Sequence, residues 1–303
     1  MSNPWKDYLQ NFRDNLPTSV TYREDIVRYV FNDKRFILPN DVVRYKNYLE
    51  KLGFGVTFDP DAEAYIAAVE AEAGQELSAG LREAYNGLFE REKAAGRWDA
   101  IKSMILLCGA PSLPSAMTPA KGAAMTAVNF VSDDYDPLTG LDGDGTTKFI
   151  NSNRANDDDP QNSMSLWVLM AGYPTGGVAG AQSAPGATNI NWQFDSMRSR
   201  SRSSTQTGLF APGTGGASDV HFLAISRGAA GEYLMRCSGA QVTVTQDSEA
   251  PSSADLHLYG REGFGAENAT PILAAGIGEH IADLAGLEAS LREWRADIAE
   301  ALT

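Results

Sequence analysis

Near residue 110 the chain changes its pattern, and that change limits the possible fold more than any other feature of the sequence. Before it, apolar residues recur at steps of three and four among charged ones, as amphipathic helices require. After it, Gly, Ser, Thr, Asn and Asp punctuate short β-prone runs. A chain of 303 residues therefore divides into a helical first part and a β-rich remainder, with enough length for a large core.

The helical part reads as helices at Trp5–Leu16, Tyr22–Phe31 and Asp41–Leu52. Another opens on Asp59-Pro60, a cap followed by proline at the first helical position, and turns Tyr65, Ile66 and Val69 inward before Gly74. Ser78 caps a further helix with Leu81, Tyr85, Leu88 and Phe89 on one face. Trp5, Tyr8 and Phe12 belong to a tract so rich in aromatic residues that three short helices cannot bury them all among themselves. Some are expected to anchor the chain on a partner or to pack on the rest of this chain.

In the β-rich part, candidate strands are Thr126–Val131, Thr147–Asn151, Ser165–Ala171, Asn189–Phe194, Met197–Ser203, Val220–Ser226, Glu232–Cys237, Gln241–Gln246, Asp255–Tyr259 and Pro271–Ile277. Short strands with regular turn punctuation predict an antiparallel sandwich. The stretches Ala171–Thr188 and Gly208–Ser218 are dominated by small residues and read as long surface loops. At the end of the sequence Leu284, Leu287, Leu291, Trp294, Ile298 and Ala301 repeat as a heptad seam. That seam either packs back on the sandwich or joins partner helices in a bundle, with Leu287, Leu291 and Trp294 at the contact. The expected organisation is α+β: a helical anchor at 1–60, a helical adaptor at 61–120, a sandwich at 121–278 and a C-terminal helix at 279–303.

A net charge of −14 argues against a nucleic-acid partner, because the phosphate backbone would be repelled. The opening residues lack an apolar core of the signal-peptide kind, and the run around Met104–Ala110 is too short to span a bilayer. The expectation is synthesis in a cytoplasm without membrane insertion. Cys108 and Cys237 lie in or beside apolar stretches and read as buried free thiols.

Several residues are candidates for chemistry. Arg198, Arg200 and Arg202 alternate with serines, which in a strand puts three guanidinium groups on one face. They either meet carboxylates of a neighbouring loop or clamp an anionic sugar or phosphate. Trp167 sits in an apolar run and reads as core, whereas Trp192, flanked by polar residues, is a candidate stacking platform for a sugar. Asp157, Asp158 and Asp159 form either a solvated acidic loop or a calcium site. Asp142-Gly143-Asp144-Gly145 begins like a calcium loop but has Thr147 and Asn153 where that loop needs Gly and Glu, so it reads as a hairpin turn. His221, His257 and His280 are isolated, and no nucleophile or phosphate-loop motif occurs. The chain is expected not to be an enzyme and to need no cofactor, calcium apart.

The run GLDGDGTTKFINSNRANDDDPQNSMSLWVLM, with HFLAISRG, GEYLMRCSG and PILAAGIGEHIADLAGLEASLREWRADIAEAL after it, resembles a family of tailed-phage virion proteins with a concanavalin-like C-terminal domain. The segment AYIAAVEAEAGQELSAGLREAYNGLFEREKAAGRWDAIKSMILLCGA is similar to the helical region that precedes the sandwich in that family. The resemblance covers about residues 62–303 and implies a concanavalin-like sandwich of jelly-roll type in a virion protein. The expected role is a tail fibre or appendage adhesin that recognises a host surface polysaccharide, assembled with other virion proteins and with itself, as a trimer. A capsid decoration protein without ligand is the alternative, and a glycan depolymerase a remote third.

Overall fold

The computed structural model describes residues 58–181, 185–193, 196–210, 220–261 and 265–303. The expected helices within residues 1–57, with Trp5, Tyr8 and Phe12, lie outside the described residues. Asp59–Thr303 forms one compact unit. Its elements begin with α1 (Pro60–Ala73), α2 (Ala79–Ala94), β1 (Ile101–Leu106), β2 (Pro119–Lys121), β3 (Thr126–Val128), β4 (Tyr135–Asp136) and β5 (Gly140–Leu141). There follow β6 (Phe149–Ala155), β7 (Met164–Ala171), β8 (Gly176–Ala181), β9 (Thr188–Gln193), β10 (Ser196–Ser201) and β11 (Thr207–Phe210). The chain ends with β12 (Val220–Arg227), β13 (Glu232–Cys237), β14 (Ala240–Thr245), β15 (Asp255–Leu258), β16 (Gly260–Arg261), β17 (Gly265–Ala266), β18 (Ile272–Gly278) and α3 (Leu284–Leu302).

The strands form an antiparallel sandwich. One sheet runs β14-β13-β12-β7-β18-β1-β2, with β5 added beside β18 and β4 beside β5; the other runs β11-β10-β9-β8-β15-β6-β3. Between them lie Leu166, Val168, Met170, Leu223, Ile225, Ile272 and Ile277 from the first sheet, and Ile150, Val178, Ile190, Trp192, Met197 and Leu258 from the second. The residues of β7 that alternate with these, Ser165, Trp167 and Leu169, are also fully buried, so the centre of the first sheet has no wet face, whereas at its β13–β14 end alternate residues are exposed. Helices cover its far side. Arg236 of β13 pairs at 2.6 Å with Glu288 of α3, which also accepts the Gly239 N–H.

The helices start and stop where the sequence predicts. Asp59 accepts the N–H groups of Asp61 and Ala62, Pro60 opens α1, and Gly74 closes it at φ 65°. Ser78 caps α2 through the Leu81 N–H. Arg97 binds the fully buried Glu92 with both Nε and Nη2, and its Nη1 reaches the Asp283 carboxylate at 2.8 Å. This ties the end of α2 to the start of α3.

Three expectations need correction. The first strand is β1, inside the segment read as helical: it pairs with β18 and is buried almost throughout, so it lacks the alternation that would mark it. Of the stretches read as surface loops, Ala171–Thr188 contains β8, an interior strand between β9 and β15 with Val178, Ala179 and Ala181 fully buried, and Gly208–Ser218 begins inside β11, its residues 211–218 lying outside the described residues. The seam of α3 does not await a partner helix. Leu284, Leu287, Leu291, Trp294 and Ile298 are buried within the chain, Trp294 lies 6.4 Å from Tyr85 of α2, and Arg91 of α2 binds Glu293. The heptad pattern is used up by a helix of the same layer.

Leu291→Ala should therefore cost about 2–5 kcal/mol of folding stability in denaturant unfolding, with the molecular mass in solution unchanged. Full stability together with loss of self-association would show that the seam joins subunits.

Candidate functional site

With the centre of the first sheet covered on both sides, the outer face of the second is a face open for recognition. Cross-strand pairs in an antiparallel sheet share a face. Because Trp192, Met197 and Ile190 point into the core, the pairs Arg198↔Asn191 and Arg200↔Asn189 point outward. The row through Arg200 continues across neighbouring strands: Asn189 beside Gly180, Gly180 beside His257, His257 beside Asn151, Asn151 beside Thr126. A shorter row runs from Arg198 through Asn191 to Gly177.

The glycines of β8 make this face possible. A side chain at Gly180, whose φ is 141°, would collide with Asn189, and one at Gly177 would collide with the Arg261–Glu267 ion pair. Arg261 and Glu267 flank the short β16–β17 hairpin and meet at 2.7 Å over β8. The strand is therefore poor in side chains because its neighbours lean across it.

Electrostatically the arginine end stands out in an acidic chain. Burial, with the neighbouring Arg261 guanidinium, holds the Arg200 pKa below its usual value. Arg200 has no carboxylate partner among the described residues. Its Nε and the Oδ1 of Asn191 are buried without a hydrogen-bond partner, an arrangement that costs about 1–3 kcal/mol per group if nothing satisfies it. At the other end the His257 ring stacks on Phe149 with centroids 4.8 Å apart, and Asn151 donates to Asp255 at 2.9 Å. The surface thus offers cationic donors, amide acceptors and an aromatic edge in one row.

The predicted site residues divide. Arg198 and Arg200 share the outer face as expected. Arg202 does not join them, because β10 ends at Ser201 and Arg202 adopts φ 53°. It is 1% exposed and donates to the carbonyls of Asn156 at 2.7 Å and Asp159 at 2.8 Å, and also to that of Pro160. Burial brings its pKa down to about 10. Trp192 is a core residue, 7% exposed, with its ring 5.8 Å from Tyr173, so it offers no platform to a sugar.

The three aspartates do not converge either. Asp159 is buried against Arg154 at 2.6 Å, Asp158 accepts the Ala155 N–H and sits 3.9 Å from Arg154, and Asp157 is exposed. Among the described residues, no group of three or more His, Cys, Asp or Glu could hold a metal ion. Asp144 closes its turn by accepting the Thr147 hydroxyl and the N–H groups of Thr146, Thr147 and Lys148, which hold its carboxyl far below the usual range. A hydrogen bond of 2.8 Å joins Ser226 to His280 Nδ1, and the Ser226 hydroxyl also accepts the Ile281 N–H. Ser226 is fully buried, and this pair fastens the turn that leads to α3.

Asn189, Asn191, Gly177, Gly180, His257 and the Arg261–Glu267 pair were not singled out from sequence. Only strand register places them beside the arginines, and the one local signal was the spacing of asparagines in NINWQ.

No family model and no curated protein matches this chain. Among solved structures it is similar to the receptor binding domain of botulinum neurotoxin D, at 9% identity and a TM-score of 0.44, over 64% of this chain and 52% of that one. It is also similar to the binding domain of botulinum neurotoxin DC in complex with rat synaptotagmin II, at 11% and 0.43, over 64% and 52%. A third is Trypanosoma rangeli sialidase, at 8% and 0.40, over 67% and 33%. The chain spans about half the length of the neurotoxin domains.

The differing fates of the arginines can be measured. Arg202→Ala strands three carbonyls and should lower stability by about 1–3 kcal/mol, whereas Arg200→Ala removes an unsatisfied buried donor and should leave stability equal to or above that of wild type. Equal losses in thermal or denaturant unfolding would contradict the assignment of Arg202 to the frame and Arg200 to the site.

Proposed function

We propose that this chain is a phage virion protein, an appendage whose sandwich binds an anionic host-surface glycan on the outer face of the second sheet. The observation that carries this reading is the orphaned pair on that face, Arg200 Nε and Asn191 Oδ1. A sugar carboxylate would supply the acceptor that the guanidinium lacks, and an adjacent ring hydroxyl the donor that the amide lacks. Arg198 extends the positive edge, and the stacked His257 and Phe149 offer an apolar rim for the ring faces of further sugars. With a net charge of −14, the protein needs such a local positive strip to hold an anionic polymer at all.

The virion assignment rests on the resemblance of residues 62–303 to the phage family. The chain acts by binding, without catalysis: the row joins arginines, amides and an imidazole already stacked on Phe149, with Asp255 held by Asn151. Among the described residues of this row, Asp255 is the carboxylate present, and it has no second carboxylate across from it for a sugar bond. Calcium has no part in this reading.

Titration calorimetry with uronic- or sialic-acid oligosaccharides, and with their neutral analogues, tests it. Charged sugars should bind and neutral ones should not. Arg200→Ala should weaken binding roughly ten- to a hundredfold, as loss of one charge-assisted contact implies, with the fold intact. Unchanged affinity in an Arg198→Ala, Arg200→Ala double variant would refute the site. Release of new reducing ends would refute the absence of catalysis.

A further inference from the structure

Strand β14 closes one edge of the first sheet, and it lacks the devices that usually protect an edge. Ser238 and Gly239, at φ 40° and 88°, make the two-residue turn from β13 to β14, so Cys237 and Ala240 form the closing hydrogen-bonded pair. From that register the N–H and C=O groups of Ala240, Val242 and Val244 point to β13. Those of Gln241, Thr243 and Thr245 point away from the sheet, and the side chains of these three residues are exposed.

The strand spans six residues, AQVTVT, without proline, charge or register break. The opposite edge of the same sheet, β2, is three residues long and carries Pro119 and Lys121; β3, at an edge of the second sheet, has three residues. Natural edges are blunted by shortness, charge, proline or bulges. Of these three, β14 alone has none of them.

We propose that β14 pairs antiparallel with β14 of a second copy, making one continuous sheet across a two-fold axis. Centred on Thr243, the axis sets Thr243 opposite its own copy and Gln241 opposite Thr245, so the outward groups of all three residues find partners. The ladder is self-complementary, and every side chain on it is neutral. That matters in a chain of net charge −14, where like-charge repulsion is the main obstacle to self-association. A second copy fits this edge better than a foreign strand because one register satisfies both chains with the same residues. The contact area of one strand pair lies at the small end of specific interfaces, so association is weak and rises with concentration. The inference does not depend on the glycan reading; if both hold, each dimer presents two sites.

Sedimentation of the full chain tests it. The mass should double with rising concentration. Thr243→Pro removes an outward N–H and leaves the β13 ladder whole, so it should give a folded monomer. Thr243→Cys should form a disulfide-linked dimer on mild oxidation; Gln241→Cys alone should not, whereas mixed Gln241→Cys and Thr245→Cys chains should. The cysteine set also decides the matter should the proline variant fail to fold. A monomeric wild type, a dimer that persists in Thr243→Pro, or equal crosslinking at Gln241 and Thr243 would overturn the proposal.

Discussion

Burial of the first sheet on both faces is the constraint from which the rest of the molecule follows. Every residue of β18, and all of β7 but its last, is buried, so two layers must cover that sheet. The second sheet supplies one and the helices the other. Strand β1, early in the chain, is locked beside β18, near its end, with Met104 opposite Gly276. Helices and sandwich are thus parts of one cooperative unit, and α3 is a wall of the core whose apolar stripe is already occupied. Among the described residues, the outer face of the second sheet, the β13–β14 end of the first and the sheet edges stay open to recognition.

How much of this could be read from sequence depended on whether a signal was local. Caps and periods are local, so α1, α2 and α3 fall where Asp59, Ser78 and the leucine spacing put them. Short β-prone runs between turn residues located β10, β13 and β14, each with one wetter face. The short strands β2, β4, β5, β11, β16 and β17 escaped, and so did two longer ones. β1 is apolar on both faces and gives no period, and β8 is made of Gly, Ala and Val because Asn189 and the Arg261–Glu267 pair fill the space its side chains would need. Composition alone cannot separate a loop from a strand crowded by its neighbours.

The arginines show the same limit at the site. Their spacing correctly put Arg198 and Arg200 on one face, but the strand ends one residue before Arg202, and its left-handed backbone turns that side chain toward three carbonyls. Arg227, also fully buried, does comparable work by donating to the carbonyls of Ser201, Ala229, Ala230, Glu232 and Gln246. Both meet main-chain carbonyls that pairing has not used. Each also keeps one buried nitrogen without a partner, Arg202 Nε and Arg227 Nη2, as Arg200 keeps its Nε; what sets Arg200 apart is its place on the outer face beside Arg261. Identical side chains are sorted into frame and site by where the strand ends.

The central claim is that the orphaned donor and acceptor on the second sheet are ligand groups. Side-chain resonances can be followed directly during titration with an acidic oligosaccharide. The account predicts that the Arg200 Nε–H signal and the Asn191 side-chain amide move together and saturate at one affinity, while the Asp157–Asp159 loop stays still. Saturable shifts confined to that loop, or none at either place, would contradict it.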